Sequence, residues 1–226
     1  AGSGTTLLSA ESLGVESWGI EAHPFIYRVA KAKLHARTDP DAYLCKVRQI
    51  RSLAEKTVPS IDHYPILIRK CYSDDSLKQL DMIRRAFVAS EEDSPASELC
   101  WLTLVGILRR VSTAGTAQWQ YVLPNKQERT SVEPFQAFDD CARMFHDDMI
   151  ARGTLEGPQP ELIKSDSRTC EGIPSGVASL VITSPPYPNN YDYADATRLE
   201  MSFMGEVANW SDLQEAVRQH LIRSCS

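Results

Sequence analysis

The chain has 226 residues and a formal net charge of −6, from 24 basic and 30 acidic side chains. Its apolar, charged and aromatic shares are those of a soluble globular protein of one domain, or of one with a large insertion. No apolar run is long enough to cross a bilayer, no secretory leader is visible, and the acidic balance leaves nucleic-acid binding to a local basic face.

Ala1-Gly2-Ser3-Gly4-Thr5-Thr6 forms a small-residue turn, followed by a helical stretch through Leu7, Leu8, Ala10 and Leu13. Two glycines before a helix let the backbone approach a ligand, and the helix start adds free N–H groups. Ser17 to Ile20 reads as a short strand ending in Glu21. An acidic residue about 20 positions after a glycine turn, at a strand end, is the arrangement that holds ribose hydroxyls in dinucleotide folds. His23-Pro24 then starts a helix with Phe25, Ile26, Val29, Ala30 and Leu34 on one face. Lys31, Lys33, His35 and Arg37 fall near its end, where cations suit the helix dipole.

Residues 38–157 show helical periodicity and little strand alternation. The spacing predicts helices over 42–57, 73–89, 96–111 and 134–152, with Ser73 capping the second and Asp74 and Asp75 in its first turn. Residues 112–130 read as loop-like or extended. Arg84, Arg85, Arg109, Arg110 and Lys126, with Trp119 and Tyr121, either touch phosphates and bases or simply face water.

From residue 158 an α/β pattern returns. Glu161 to Lys164 reads as a strand, leading to Asp166. Leu180-Val181-Ile182-Thr183 reads as a second, buried strand, expected beside the first so that both ends meet at one carboxyl edge. Ser184-Pro185-Pro186-Tyr187 follows directly. Each proline fixes its own φ and lacks an N–H, so this lip is stiff and offers a hydroxyl, a free carbonyl and an aromatic face together. That set suits a flat ring carrying an amino group. Beyond it, Pro188-Asn189-Asn190-Tyr191-Asp192-Tyr193 leads into an amphipathic helix through Leu199, Met201, Phe203 and Met204 to Gly205. The six cysteines form no C-x-x-C pair, so zinc is not indicated, and reduced thiols in a cytoplasmic protein are expected.

The run from Ser184 to Gly205 closely resembles the bacterial cytosine-N4-specific DNA methyltransferases, exocyclic-amine methylases in which such a Ser-Pro-Pro-Tyr segment leads into a helix. Ala1 to Thr6 resembles the latter part of that family's cofactor motif, without its leading Asp-Pro-Phe. The resemblance implies a Rossmann-like, S-adenosylmethionine-dependent methyltransferase sheet, α/β in class and incomplete in this chain, with a large helical insertion. It implies a cofactor-binding half over 1–37, a mainly helical insertion over 38–157 able to contact DNA, and a catalytic half over 158–226. It makes Ser184, Pro185, Pro186 and Tyr187 catalytic. It assigns Ala1, Gly2, Ser3, Gly4, Thr5, Thr6, Glu21 and Asp166 to S-adenosyl-L-methionine, with Asp166 at the adenine end and no metal required. The implied partners are double-stranded DNA with a flipped base, and further segments of the same protein or a split partner, since the chain starts inside a motif. A cytoplasmic bacterial or archaeal enzyme of restriction-modification or phage-defence type follows from the same likeness. C5-cytosine chemistry is rejected because no cysteine stands at the lip. N6-adenine methylation by the same geometry and, in another class, a catalytically silent fragment or DNA-binding module are the alternatives.

Overall fold

Proline at the first helical position opens four helices: α2 (Pro24–Leu34), α3 (Pro40–Ala54), α6 (Pro95–Val111) and α7 (Pro134–Arg152). Its ring presets a helical φ, and the N–H it lacks is one the helix start could not have used. Side-chain caps complete most of these starts. Asp39 accepts from the Asp41 N–H, Ser94 from Ser97 and Glu133 from Gln136, while Ser73 caps α5 (Asp74–Ser90) through the Ser76 N–H. The computed structural model describes residues 1–116, 122–127, 131–153, 157–184 and 192–221, with backbone alone for Lys126 and Gln127.

The remaining helices are short: α1 (Thr5–Ser12), α4 (Ile66–Cys71), α8 (Arg198–Met204) and α9 (Leu213–Ala216). The described strands form two two-stranded sheets. In one, β1 (Trp18–Ile20) runs parallel to β4 (Glu161–Ile163), with Ile20 opposite Ile163. In the other, β2 (Ala114–Thr116) pairs antiparallel with β3 (Val122–Gln127) across a register shift. The chain is thus mixed α/β and mainly helical, and none of its described helices is long and apolar enough to cross a membrane.

The apolar core is organised around α6. Trp101, Leu104, Leu108 and Val111 on this helix are all buried completely, in one cluster with Tyr43 and Ile50 of α3, Leu80 and Phe87 of α5 and Phe138 of α7. Phe25 of α2 and Leu199, Met201 and Phe203 of α8 join the same cluster. One end of α6 is stapled to α2, where the Arg28 guanidinium bonds Glu98 at 3.1 Å and lies 4.3 Å above the Trp101 ring. Its other end grips α8, where Arg109 Nη2 donates to Glu200 at 3.2 Å and to the Ala196 carbonyl at 2.6 Å. The five described cysteines are free thiols, and burial pushes the pKa of Cys100 up to about 12 and those of Cys71 and Cys141 up to about 11.

The expected strand over Leu180–Thr183 is not formed. Residues 180–183 are irregular, and Leu180, Val181 and Ile182 are 75%, 77% and 68% exposed. A strand is stable only beside a partner, and the sheet of described residues holds β1 and β4 alone. Nothing among the described residues lies along 180–183 to complete a ladder.

Candidate active site

The sheet edge is built from close packing of small residues. A Cβ on Gly19 would stand 2.7 Å from Leu7 Cδ1, so α1 lies directly on β1 only because position 19 has no side chain. Gly2 and Gly4 have φ of +55° and +80°, and Gly4 is the N-cap of α1 without any side-chain cap bond. A Cβ at Gly4 would meet Ala30 Cβ at 3.2 Å, so helix α2 abuts the turn. Lys33 of α2 fastens the turn by donating to the Ser3 carbonyl at 2.8 Å. Thr5 and Thr6 are exposed on the first helical turn.

Glu21 gathers this edge. Its Oε2 accepts the Gly2 N–H at 2.7 Å and its Oε1 accepts the His23 N–H at 2.9 Å. The ladder continues one step past β1, with the Glu21 N–H donating to the Ile163 carbonyl at 3.0 Å. Residues just after β4 therefore stand on the same carboxyl edge. There Asp166 accepts from Arg168 through both the backbone N–H, at 2.8 Å, and the guanidinium. The Arg168 side chain, then its N–H, hold the Asp166 carboxyl below its ordinary pKa. A cavity of about 260 Å³ opens here, lined by Ala22, Lys164, Ser165, Asp166, Gln219 and His220.

The structure thus brings Ala1 to Thr6 and Glu21 together and sets Asp166 on the same edge. Ser184 is exposed at the end of the irregular segment and hydrogen-bonds to none of these residues. Pro185, Pro186 and Tyr187 lie outside the described residues. The chain resumes at Asp192, and that downstream segment is heavily held. Arg218, 4.0 Å over the Trp210 ring, donates to Asp192 from Nε at 3.1 Å, and Asp192 Oδ1 accepts the Ala194 N–H at 3.0 Å. Arg198 pairs with Asp195 at 3.0 Å.

The insertion arginines proposed for DNA are committed within the chain. Arg84 donates to the Met204 carbonyl, Arg85 to the Val58 carbonyl, Arg109 to Glu200 and Arg110 to Asp140. Trp119 and Tyr121 lie outside the described residues, as does the side chain of Lys126. A larger groove of about 460 Å³ between α3 and α7 contains Arg48, Arg51, Arg143 and His146, but also Glu55 and Asp139, both paired with Arg51.

Two buried residues escaped the sequence reading, Glu11 at the amino end of the strands and His23 at the carboxyl edge. Glu11 on α1 is buried and bridges Arg37 and Arg152, with Arg37 also donating to the Gly157 carbonyl at 2.9 Å. His23 is 3% exposed, and its Nε2 lies 3.0 Å from Thr197 Oγ1, just beyond the motif segment. Burial pushes its pKa down to about 4, against the opposing pull of the His23 and Tyr193 carbonyls and the Asp192 charge. Neither residue belongs to a local motif; only their chain position, beside a glycine turn and after a strand-end acid, points to them. No protein-family model, curated protein or solved structure matches this chain.

Proposed function

We propose that the protein is an S-adenosylmethionine-dependent DNA methyltransferase that modifies the exocyclic N4 amine of cytosine, site-specifically and in a restriction-modification or phage-defence setting. The observation that carries this reading is the binding of the glycine turn to Glu21 at the carboxyl edge of two parallel strands, with Asp166 on the same edge. Ligands of open α/β sheets bind at that edge. On this reading β1 and β4 belong to a Rossmann-like sheet.

The residues present fit the cofactor. The uncapped start of α1 offers backbone N–H groups beside the Gly2–Gly4 turn, whose glycine N–H groups bond Glu21 and the Ala1 carbonyl. Glu21 receives two backbone donors, and an ionised carboxylate has about four acceptor sites, so ribose hydroxyls can still be held. Asp166 faces the cavity that suits the adenine end. When bound, S-adenosylmethionine supplies an electrophilic methyl group.

The acceptor side is supplied by the Ser-Pro-Pro-Tyr segment. The target base leaves the duplex stack and Tyr187 stacks on its ring. Ser184 Oγ and the Pro185 carbonyl accept the two amine N–H groups, while Pro186 keeps the segment stiff. These bonds would draw the nitrogen lone pair out of ring conjugation and aim it at the methyl group; as the N–C bond formed, the methyl–sulfur bond would break to leave a neutral thioether, and the displaced proton would pass to solvent along the Ser184 hydrogen bond. The rate enhancement comes from positioning and electrostatics.

The test is a transfer assay with labelled S-adenosylmethionine and duplex DNA, read by nucleoside mass spectrometry beside a Ser184→Ala/Tyr187→Ala protein. N4-methylcytosine that disappears in the variant is the expected result. N6-methyladenine would move the target to adenine, and no methylated nucleoside together with no cofactor binding would end the methyl-transfer reading.

A further inference from the structure

The cavity at the carboxyl edge has two walls of separate origin. One is the edge itself: Ala22, directly after Glu21, and Lys164 to Asp166, just past β4. The other is the single turn Arg218–His220, far along the chain from the glycine turn. That turn is anchored through its first half. Val217 before it is completely buried, and Arg218 lies 4.0 Å over the Trp210 ring while donating to Asp192 at 3.1 Å. Gln219 and His220 are left exposed, and both line the cavity.

Hydrogen bonds within the turn fix what it offers. The Gln219 amide nitrogen donates to the Glu215 carbonyl at 2.6 Å, and a carbonyl can only accept, so the amide has one orientation. The same nitrogen lies 3.2 Å from His220 Nε2. Its second hydrogen makes Nε2 of the neutral ring the acceptor and puts the ring proton on Nδ1. Both amide hydrogens are then used, which leaves Gln219 an acceptor, Oε1, and His220 a donor, Nδ1–H. Asp166, bound as a carboxylate by the Arg168 N–H and guanidinium, adds only acceptor capacity to the same cavity.

We propose that the turn at Gln219 and His220 recognises the adenine ring of S-adenosylmethionine, with Gln219 Oε1 taking the 6-amino group and His220 Nδ1–H the neighbouring ring nitrogen. This rests on the methyl-transfer reading above and adds to it two residues that select the purine. A 6-aminopurine edge sets a donor beside an acceptor, and a 6-oxopurine edge reverses both. A turn that merely closed the cavity would not distinguish the two rings.

The test is calorimetric titration of the whole chain, without DNA, with S-adenosylhomocysteine and with its 6-oxo counterpart S-inosylhomocysteine. Gln219→Leu and His220→Phe each remove one polar group and keep bulk. Both positions are exposed and each reports independently, with folding checked by thermal melting. The wild-type protein should bind the adenosyl compound about tenfold tighter or more, because the inosyl ring sets acceptor against acceptor and donor against donor. Each variant should lose about three- to tenfold in adenosyl affinity and less in inosyl affinity, so that the preference shrinks. Variants that keep the wild-type preference, whether both affinities are unchanged or fall equally, would overturn the inference and leave the methyl-transfer reading standing. A wild-type protein that binds the two compounds equally would do the same. A wild-type protein that binds neither would overturn both.

Discussion

Acidification should unload the core through His23. The imidazole has a pKa of about 4 in the folded chain, against an ordinary value of 6.5, chiefly because it is buried. Between those two values the unfolded chain holds a proton that the folded chain does not. Stability therefore falls as pH drops through 6.5, and the loss is complete below about 4. Linkage gives a loss of about 2 kcal/mol at roughly pH 5 and about 3 kcal/mol below both values. Other buried groups are shifted too. His35 is also lowered by burial, whereas Asp195 and Glu206 are raised by it and act with the opposite sign. A comparison with His23→Gln cancels them, since the amide keeps a donor near the Nε2 position and does not titrate. The assay is urea unfolding of both proteins from about pH 7.5 to 4.5, with the wild-type curve falling away from the variant's by about 2 kcal/mol at pH 5. Parallel curves over that range would refute the reasoning, because they would mean that His23 takes up its proton equally in both states.

Two further outcomes follow from geometry. Gly4→Ala should cost about 1–2 kcal/mol for the left-handed backbone, plus the contact with Ala30, whereas Gly14→Ala, at φ +68° with open space around it, bears the backbone cost alone. Thermal melts of the two variants isolate the close approach as their difference, and equal melts would show that α2 yields. Arg109→Met leaves Glu200, 8% exposed, without its main cation and should cost about 3 kcal/mol by chemical denaturation, most of it recovered in Arg109→Met/Glu200→Leu. A single variant as stable as the wild type would mean that Glu200 finds water or another donor.

The long helices were readable because their signals are local, whereas the six-residue α4 went unread. Prolines at the first position, caps at Ser73 and Ser94 and apolar spacing within α3, α5, α6 and α7 lie inside each segment. The turn at Gly2 and Gly4 and the strand ending at Glu21 were legible for the same reason. Strand pairing was not. The sequence of β2 and β3 has no alternating pattern, so the hairpin went unread, and Leu180–Thr183 has the composition of a buried strand but no partner among the described residues. Apolar runs specify a wish for burial, not the neighbour that grants it. The links that shape the candidate site are likewise long-range: Glu11 to Arg152 spans 141 residues, Arg109 to Glu200 spans 91, and His23 to Thr197 spans 174. Nothing near either member announces the other. The arginines on α5 and α6 looked available for phosphate because their carbonyl and carboxylate partners sit elsewhere in the chain.

Helix α6 packs on α3, α5 and α7 along its length and also touches α2 at one end and α8 at the other, so its neighbours at the two ends have different needs. A substitution on its buried faces that shifts it acts on α2 and on α8 together. Such a helix resists transplantation: a graft carrying a different version of residues 95–111 must bring matching versions of Arg28's and Glu200's surroundings with it. Drift in this chain should then be most permissive on surfaces that answer to one neighbour only, such as the outer face of α7 around Met144 and Ile150, which are 52% and 58% exposed.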